Sequence, residues 1–174
     1  MDTTTIIILA LVVLAVIGGA AWLWNRRQQT EQLREKFGSE YDYTVSKVGD
    51  QRQAEAELEK REERVEALEI QALSPEERSR FLERWKETQA RFVDEPAQAV
   101  NDADRLIQEA MMESGFPVAD FEQRAADISV MHPGVVSDYR AAHEIAMNNE
   151  RGEASTEDLR QAMVHYRSLF EDLL

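Results

Sequence analysis

The stretch SPEERSRFLERWKETQARF, residues 74–92, decides the fold class. Ser74 can cap a helix, Pro75 suits the first helical position, where no N–H is needed, and Glu77 can reach back to the backbone N–H of the cap. Behind this start, Phe81, Trp85, Thr88 and Phe92 recur at helical spacing, so a helix gathers three aromatic rings on one face. Burying a ring of this size is worth about 2 kcal/mol or more, which reads the stripe as core rather than as a ligand box.

The same period continues on both sides. Pro96 opens a helix with Ala99, Ala103, Leu106 and Ala110 on one face and Val100, Ile107 and Met111 beside them, ended by Gly115-Phe116-Pro117. A short helix carries Phe121, Ala125 and Ile128 and stops at His132-Pro133-Gly134. Val135, Val136, Tyr139, Ala142, His143 and Ala146 mark the next, with a loop over 148–152. Ser155 and Asp158 resemble a second capping box, and Leu159, Met163, Tyr166, Phe170 and Leu173 form a core-facing stripe that closes the chain.

Upstream, residues 51–73 are rich in Glu, Arg, Ala and Gln, with a narrow stripe of Leu58, Val65, Leu68 and Ala72. Pairs such as Glu57 with Arg61 add at most about 0.5 kcal/mol, so something must cover the stripe to hold the helix. Tyr41, Val45 and Val48 suit a shorter helix that breaks at Gly49-Asp50, although Tyr41, Tyr43 and Val45 also alternate as a strand would. Proline and glycine fall between these periodic stretches rather than within them. The expected fold is all-α, a bundle of about five to six helices over residues 51–174, preceded by a helical segment over 25–50.

At the N-terminus, behind a short tail over 1–5, the run Ile6–Trp24 carries no charge and includes Leu14 and Trp22. At ~1.5 Å per residue such a helix covers the ~30 Å hydrocarbon layer, so the sequence predicts a transmembrane helix over 6–24. Arg26 and Arg27 beyond it, with Trp22 and Trp24 at the headgroup level, would hold the helical domain in the cytoplasm and the N-terminus outside. That places the chain in an inner, or plasma, membrane as a single-pass protein. Export, with the chain anchored or secreted, is the alternative; the missing basic residues before Ile6 count against a signal peptide.

Composition narrows the partners. The net charge is −14, and of the 34 acidic residues only Asp2 precedes residue 25. Nucleic acid is disfavoured, since affinity there comes from cations neutralising phosphates. With no cysteine, disulfides, thiolate catalysis and zinc–thiolate sites are excluded.

Tests for chemistry are mostly negative. The histidines are His132, His143 and His165, and the Glu-x-x-His signature of di-iron bundles fails because Ser129, Arg140 and Ala162 occupy the acid positions. A calcium loop starting at Asp102 fails at Leu106 and Ile107, which replace a ligand and the turn glycine. No phosphate loop, dinucleotide fingerprint, nucleophile elbow or zinc-protease motif occurs. No catalytic, metal or cofactor residue is assigned. Asp127, His132, Tyr139, Arg140 and His143 remain as a candidate polar pocket.

Phe37-Gly38-Ser39-Glu40-Tyr41-Asp42, Gly49-Asp50, Phe92-Val93-Asp94-Glu95-Pro96, Ala103-Asp104 and His132-Pro133-Gly134-Val135-Val136 resemble a group of uncharacterised bacterial proteins with one N-terminal anchor and an acidic helical domain. The resemblance implies bacterial origin and architecture, and no activity. The function expected from the sequence is a non-enzymatic adaptor or scaffold at the bacterial inner membrane. It would bind an unknown protein, or itself, through Leu58, Val65 and Leu68. The alternatives are a small-molecule or stress-response binding domain built on the polar pocket and, last, a hydrolase with dispersed catalytic groups.

Overall fold

A computed structural model describes the backbone from Thr3 to Leu174, with side chains described from residue 14 onward except at 15 and 22. The described chain forms eight helices and no strand: α1 (Thr3–Phe37), α2 (Ser39–Val48), α3 (Gln51–Glu66), α4 (Pro75–Arg91), α5 (Pro96–Glu113), α6 (Phe121–Met131), α7 (Val136–Glu150) and α8 (Thr156–Leu173). The all-α class stands, but its membrane-spanning part is corrected. Among the described residues, no helix is long and apolar enough to cross a membrane. Leu14 and Trp24 are exposed at 64% and 71%. Ile6 and Trp22, the other apolar residues expected in the anchor, fall outside the described side chains.

Two apolar cores organise the helices. The larger one draws Phe81 and Trp85 from α4, Val100, Ile107 and Met111 from α5, Ile128 from α6, Tyr139 from α7, and Leu159, Tyr166 and Phe170 from α8. α8 lies against both α5 and α7, and α4 lies against α5. Both capping boxes form. Ser74 Oγ accepts from the N–H of Glu77, whose carboxylate accepts from the N–H of Ser74, and Ser155 and Asp158 do the same at α8. The Trp85 and Phe170 rings stack at 4.7 Å, joining the aromatic stripes of α4 and α8.

The smaller core joins Leu33 and Phe37 of α1, Tyr41 of α2 and Leu58 of α3, with Val45 and Val130 packed against it. Glu55 ties the three helices together on its flank, accepting from Thr30 Oγ1 at 2.9 Å and from Tyr41 OH and Gln51 Nε2 at 2.8 Å. α6 stands between the cores, giving Ile128 to one and Val130 to the other.

Two helix ends depart from the sequence reading: α7 runs on to Glu150, into the loop expected over 148–152, and α3 ends at Glu66 rather than continuing to residue 73. The segment after it crosses the loop that follows α5. Gln71 N donates to Ser114 O at 2.9 Å, and Ile70 and Leu73 pack on the larger core. Gly115 makes the crossing feasible: its φ is +95°, and a Cβ there would lie 2.6 Å from Glu69 O. Helical periodicity through Ala72 could not register this contact, which outweighs one more turn of an exposed helix.

Candidate functional site

Between the two cores the helices meet through charge. Glu40, in the first turn of α2, is 2% exposed. Its Oε1 accepts from Arg61 Nη1 of α3 at 2.9 Å and from Arg140 Nη2 of α7 at 2.8 Å. Arg61 also reaches Ser129 Oγ at 3.4 Å, and that hydroxyl donates to Ala126 O. On α6, Asp127 is 1% exposed and accepts from Arg64 Nε at 3.0 Å and from Gln123 Nε2 at 2.8 Å. A buried carboxylate is tolerated only with such partners.

Around this seam the surface opens into two neighbouring cavities that share Asp120 and Glu122. One, of about 500 Å³, is lined by Tyr43, Asp120, Phe121, Glu122, Arg140, His143 and Glu144. The other lies between α2, α3 and α6 and includes Thr44, Lys47 and Arg61. Lys47 and Glu122 bridge them at 2.6 Å. The hydrogen bond with Glu122 raises the Lys47 pKa and lowers that of Glu122. The Arg140 guanidinium lies 4.3 Å from the Tyr43 ring centre. Phe121 and His143 stack face to face at 3.6 Å. Burial pushes the His143 pKa below its ordinary value, favouring the neutral ring. Arg140 Nε, Arg140 Nη1, His143 Nδ1 and Thr44 Oγ1 are buried with no hydrogen-bond partner among the described residues.

The five residues expected to share a polar pocket do not converge. Only Arg140 and His143 line one cavity. Asp127 is occupied by Arg64 and Gln123, while Tyr139 OH accepts from Arg124 Nε at 3.0 Å inside the bundle, where burial pushes its pKa up to about 12. His132 lies elsewhere, its Nδ1 2.6 Å from Asp172 of α8. His165 pairs with Asp138 at 2.9 Å. Among the described residues, no three His, Asp or Glu side chains come together as metal ligands.

The expected partner surface is also placed differently. Leu58 is fully buried and Val65 is 7% exposed, both covered within the chain, while Leu68 is half-buried beyond the end of α3. The side chains of Leu58 and Val65 are not free for a partner. An apolar cleft lies on another face, where Gln89 and Phe92, at the end of α4, meet Arg160, Met163, Val164 and Arg167 of α8. Beside it Val93 is 83% exposed, and Val164 within it is 54% exposed.

Sequence reading missed Glu40, Tyr43 and Phe121. Phe121 reads as core by its spacing, Tyr43 is one of an ambiguous alternation, and nothing marks Glu40 as buried among so many acids. No family matches this chain, and neither a curated protein nor a solved structure does. The resemblance to uncharacterised bacterial proteins therefore carries no assignment.

Proposed function

We propose that the chain is a non-enzymatic adaptor or scaffold that binds another protein through the cleft between α4 and α8. The observation that carries this reading is the pairing of an apolar floor, Phe92, Met163 and Val164, with an arginine rim, Arg160 and Arg167, on a protein of net charge −14. The cleft holds about 160 Å³, well below the ~300 Å³ at which small-molecule sites begin, and a volume that suits one or two anchoring side chains of a helix. Val93 extends the apolar strip past the cleft. The occupant is an amphipathic helix with apolar anchors flanked by Asp or Glu.

A second copy of this chain fits less well. An antiparallel pair of α8 helices centred on Val164 would set Glu157 against Glu171 and leave the arginines opposite Gln161 and Ser168, which are uncharged. Arg160 and Arg167 already pair along their own helix with Glu157 and Glu171. These are exposed pairs of little strength, easily exchanged for a partner's carboxylates. The reading requires no membrane anchor.

A photo-crosslinking amino acid at position 93, combined with affinity purification of the wild type and of Val164→Asp, tests it. A single partner recovered in near-stoichiometric yield and lost with Val164→Asp, at an unchanged melting temperature, is the expected result. Adducts of the chain with itself alone, or a partner retained by Val164→Asp, would overturn it.

A further inference from the structure

We infer that the cavity between α2, α6 and α7 is a binding site for a small zwitterion of the α-amino-acid class. It lies on a different face from the α4–α8 cleft and goes beyond the adaptor reading. Four observations converge there. Arg140 spends Nη2 on Glu40 and sits over the Tyr43 ring, yet among the described residues Nε and Nη1 have no hydrogen-bond partner, and Nη1 forms only a long ion pair, at 3.7 Å, with Glu122. His143 Nδ1 is likewise unpartnered, on a ring stacked flat against Phe121. The rim carries Asp120, Glu122 and Glu144. Of these, Asp120 caps α6 and Glu122 holds Lys47, whereas Glu144 has no hydrogen bond or ion pair among the described residues.

Charge selects the ligand. A bare anion would meet Arg140 but also three carboxylates, and a bare cation would leave the guanidinium donors unanswered. Arg140 and Glu144 stand one helical turn apart on α7, so their side chains are neighbours about 5–6 Å apart at Cβ. They do not pair with each other, because Arg140 is held inward by Glu40 and Tyr43. A molecule with a carboxylate and an ammonium on one carbon completes both: the carboxylate accepts from Arg140, and the ammonium donates to Glu144. The Phe121–His143 stack offers a flat wall to an apolar or aromatic side chain, and about 500 Å³ leaves room for one.

The experiment is a calorimetric and NMR titration of the full chain with glycine and L-phenylalanine, beside acetate and ethylamine, which each carry one of the two charges. The zwitterions are expected to bind, phenylalanine more tightly than glycine, and to shift the His143 ring resonances, with acetate and ethylamine silent. Glu144→Gln, at an exposed position, is expected to weaken phenylalanine binding about tenfold without moving the melting temperature. Arg140→Gln, which leaves Glu40 paired with Arg61, is expected to abolish binding in a protein that remains folded by circular dichroism. No binding of either amino acid at millimolar concentration would overturn the inference. So would acetate or ethylamine binding as well as the zwitterions, or Glu144→Gln binding with unchanged affinity.

Discussion

Glu40 and Gly115 show how much one position can hold. Glu40 is the shared acceptor of two arginines from helices far apart in sequence, and Glu40→Ala would strand Arg61 and Arg140 in a buried setting. Removing one partner of such a cluster costs about 3–5 kcal/mol, so urea unfolding should show a loss of that order. Glu40→Ala combined with Arg61→Met should lose less than the sum of the two single variants, because the charges leave together. Gly115→Ala combines a left-handed backbone with a Cβ 2.6 Å from Glu69 O, and should cost about 2 kcal/mol by the same measurement. His143 sets a pH dependence. Its folded pKa lies below the ordinary 6.5 because burial disfavours the charged ring, so the unfolded chain takes up the proton first as pH falls. Stability is then full above about pH 6.5 and declines below it, until the folded protein also protonates. Melting temperature measured between pH 7 and pH 5 should fall less steeply in His143→Gln than in the wild type.

At the scale of the element, the helices that were legible are those whose ends carry their own signals. Ser74, Pro75 and Glu77 fix the start of α4, and Ser155 and Asp158 fix that of α8, because a cap is a contact between residues three apart. Replacing Ser155 by Ala should cost about 1 kcal/mol, readable as a lower urea midpoint with an unchanged slope. α3 illustrates the opposite case. Its stripe was visible, but periodicity reports which face is apolar and not what lies on it, and Leu58 is covered by α1 and α2. Its end was invisible for a related reason: the bond from Gln71 to Ser114 joins segments 43 residues apart, and no window of local sequence spans it. The ligand cavity was only half legible. Arg140 and His143 could be picked out on α7, whereas Tyr43 and Phe121 come from helices whose approach is decided by the buried charges.

For the whole molecule, the consequential arrangement is two apolar cores joined through a polar seam. Apolar contact resists opening in proportion to the area buried, whereas a seam of buried ion pairs holds firmly when complete and weakly when one member is missing. The α1–α3 unit should therefore open as a block of its own. In native-state hydrogen exchange, the Glu40→Gln variant should lose amide protection in α2 and α3, while α4, α5 and α8 keep theirs; a uniform loss across all eight helices would mean that the cores act as one. The segment over residues 67–74 bears on how the chain can be cut. It is irregular, yet Gln71 is bonded to Ser114 and both Ile70 and Leu73 are embedded, so a broad-specificity protease finds little there to pull into its cleft. The turn at Arg151 and Gly152 is exposed and hydrogen-bonded to its near neighbours Asn148, Asn149 and Glu153, so it should be nicked first, leaving α8 docked as a separate peptide that stays with the rest until the protein is denatured.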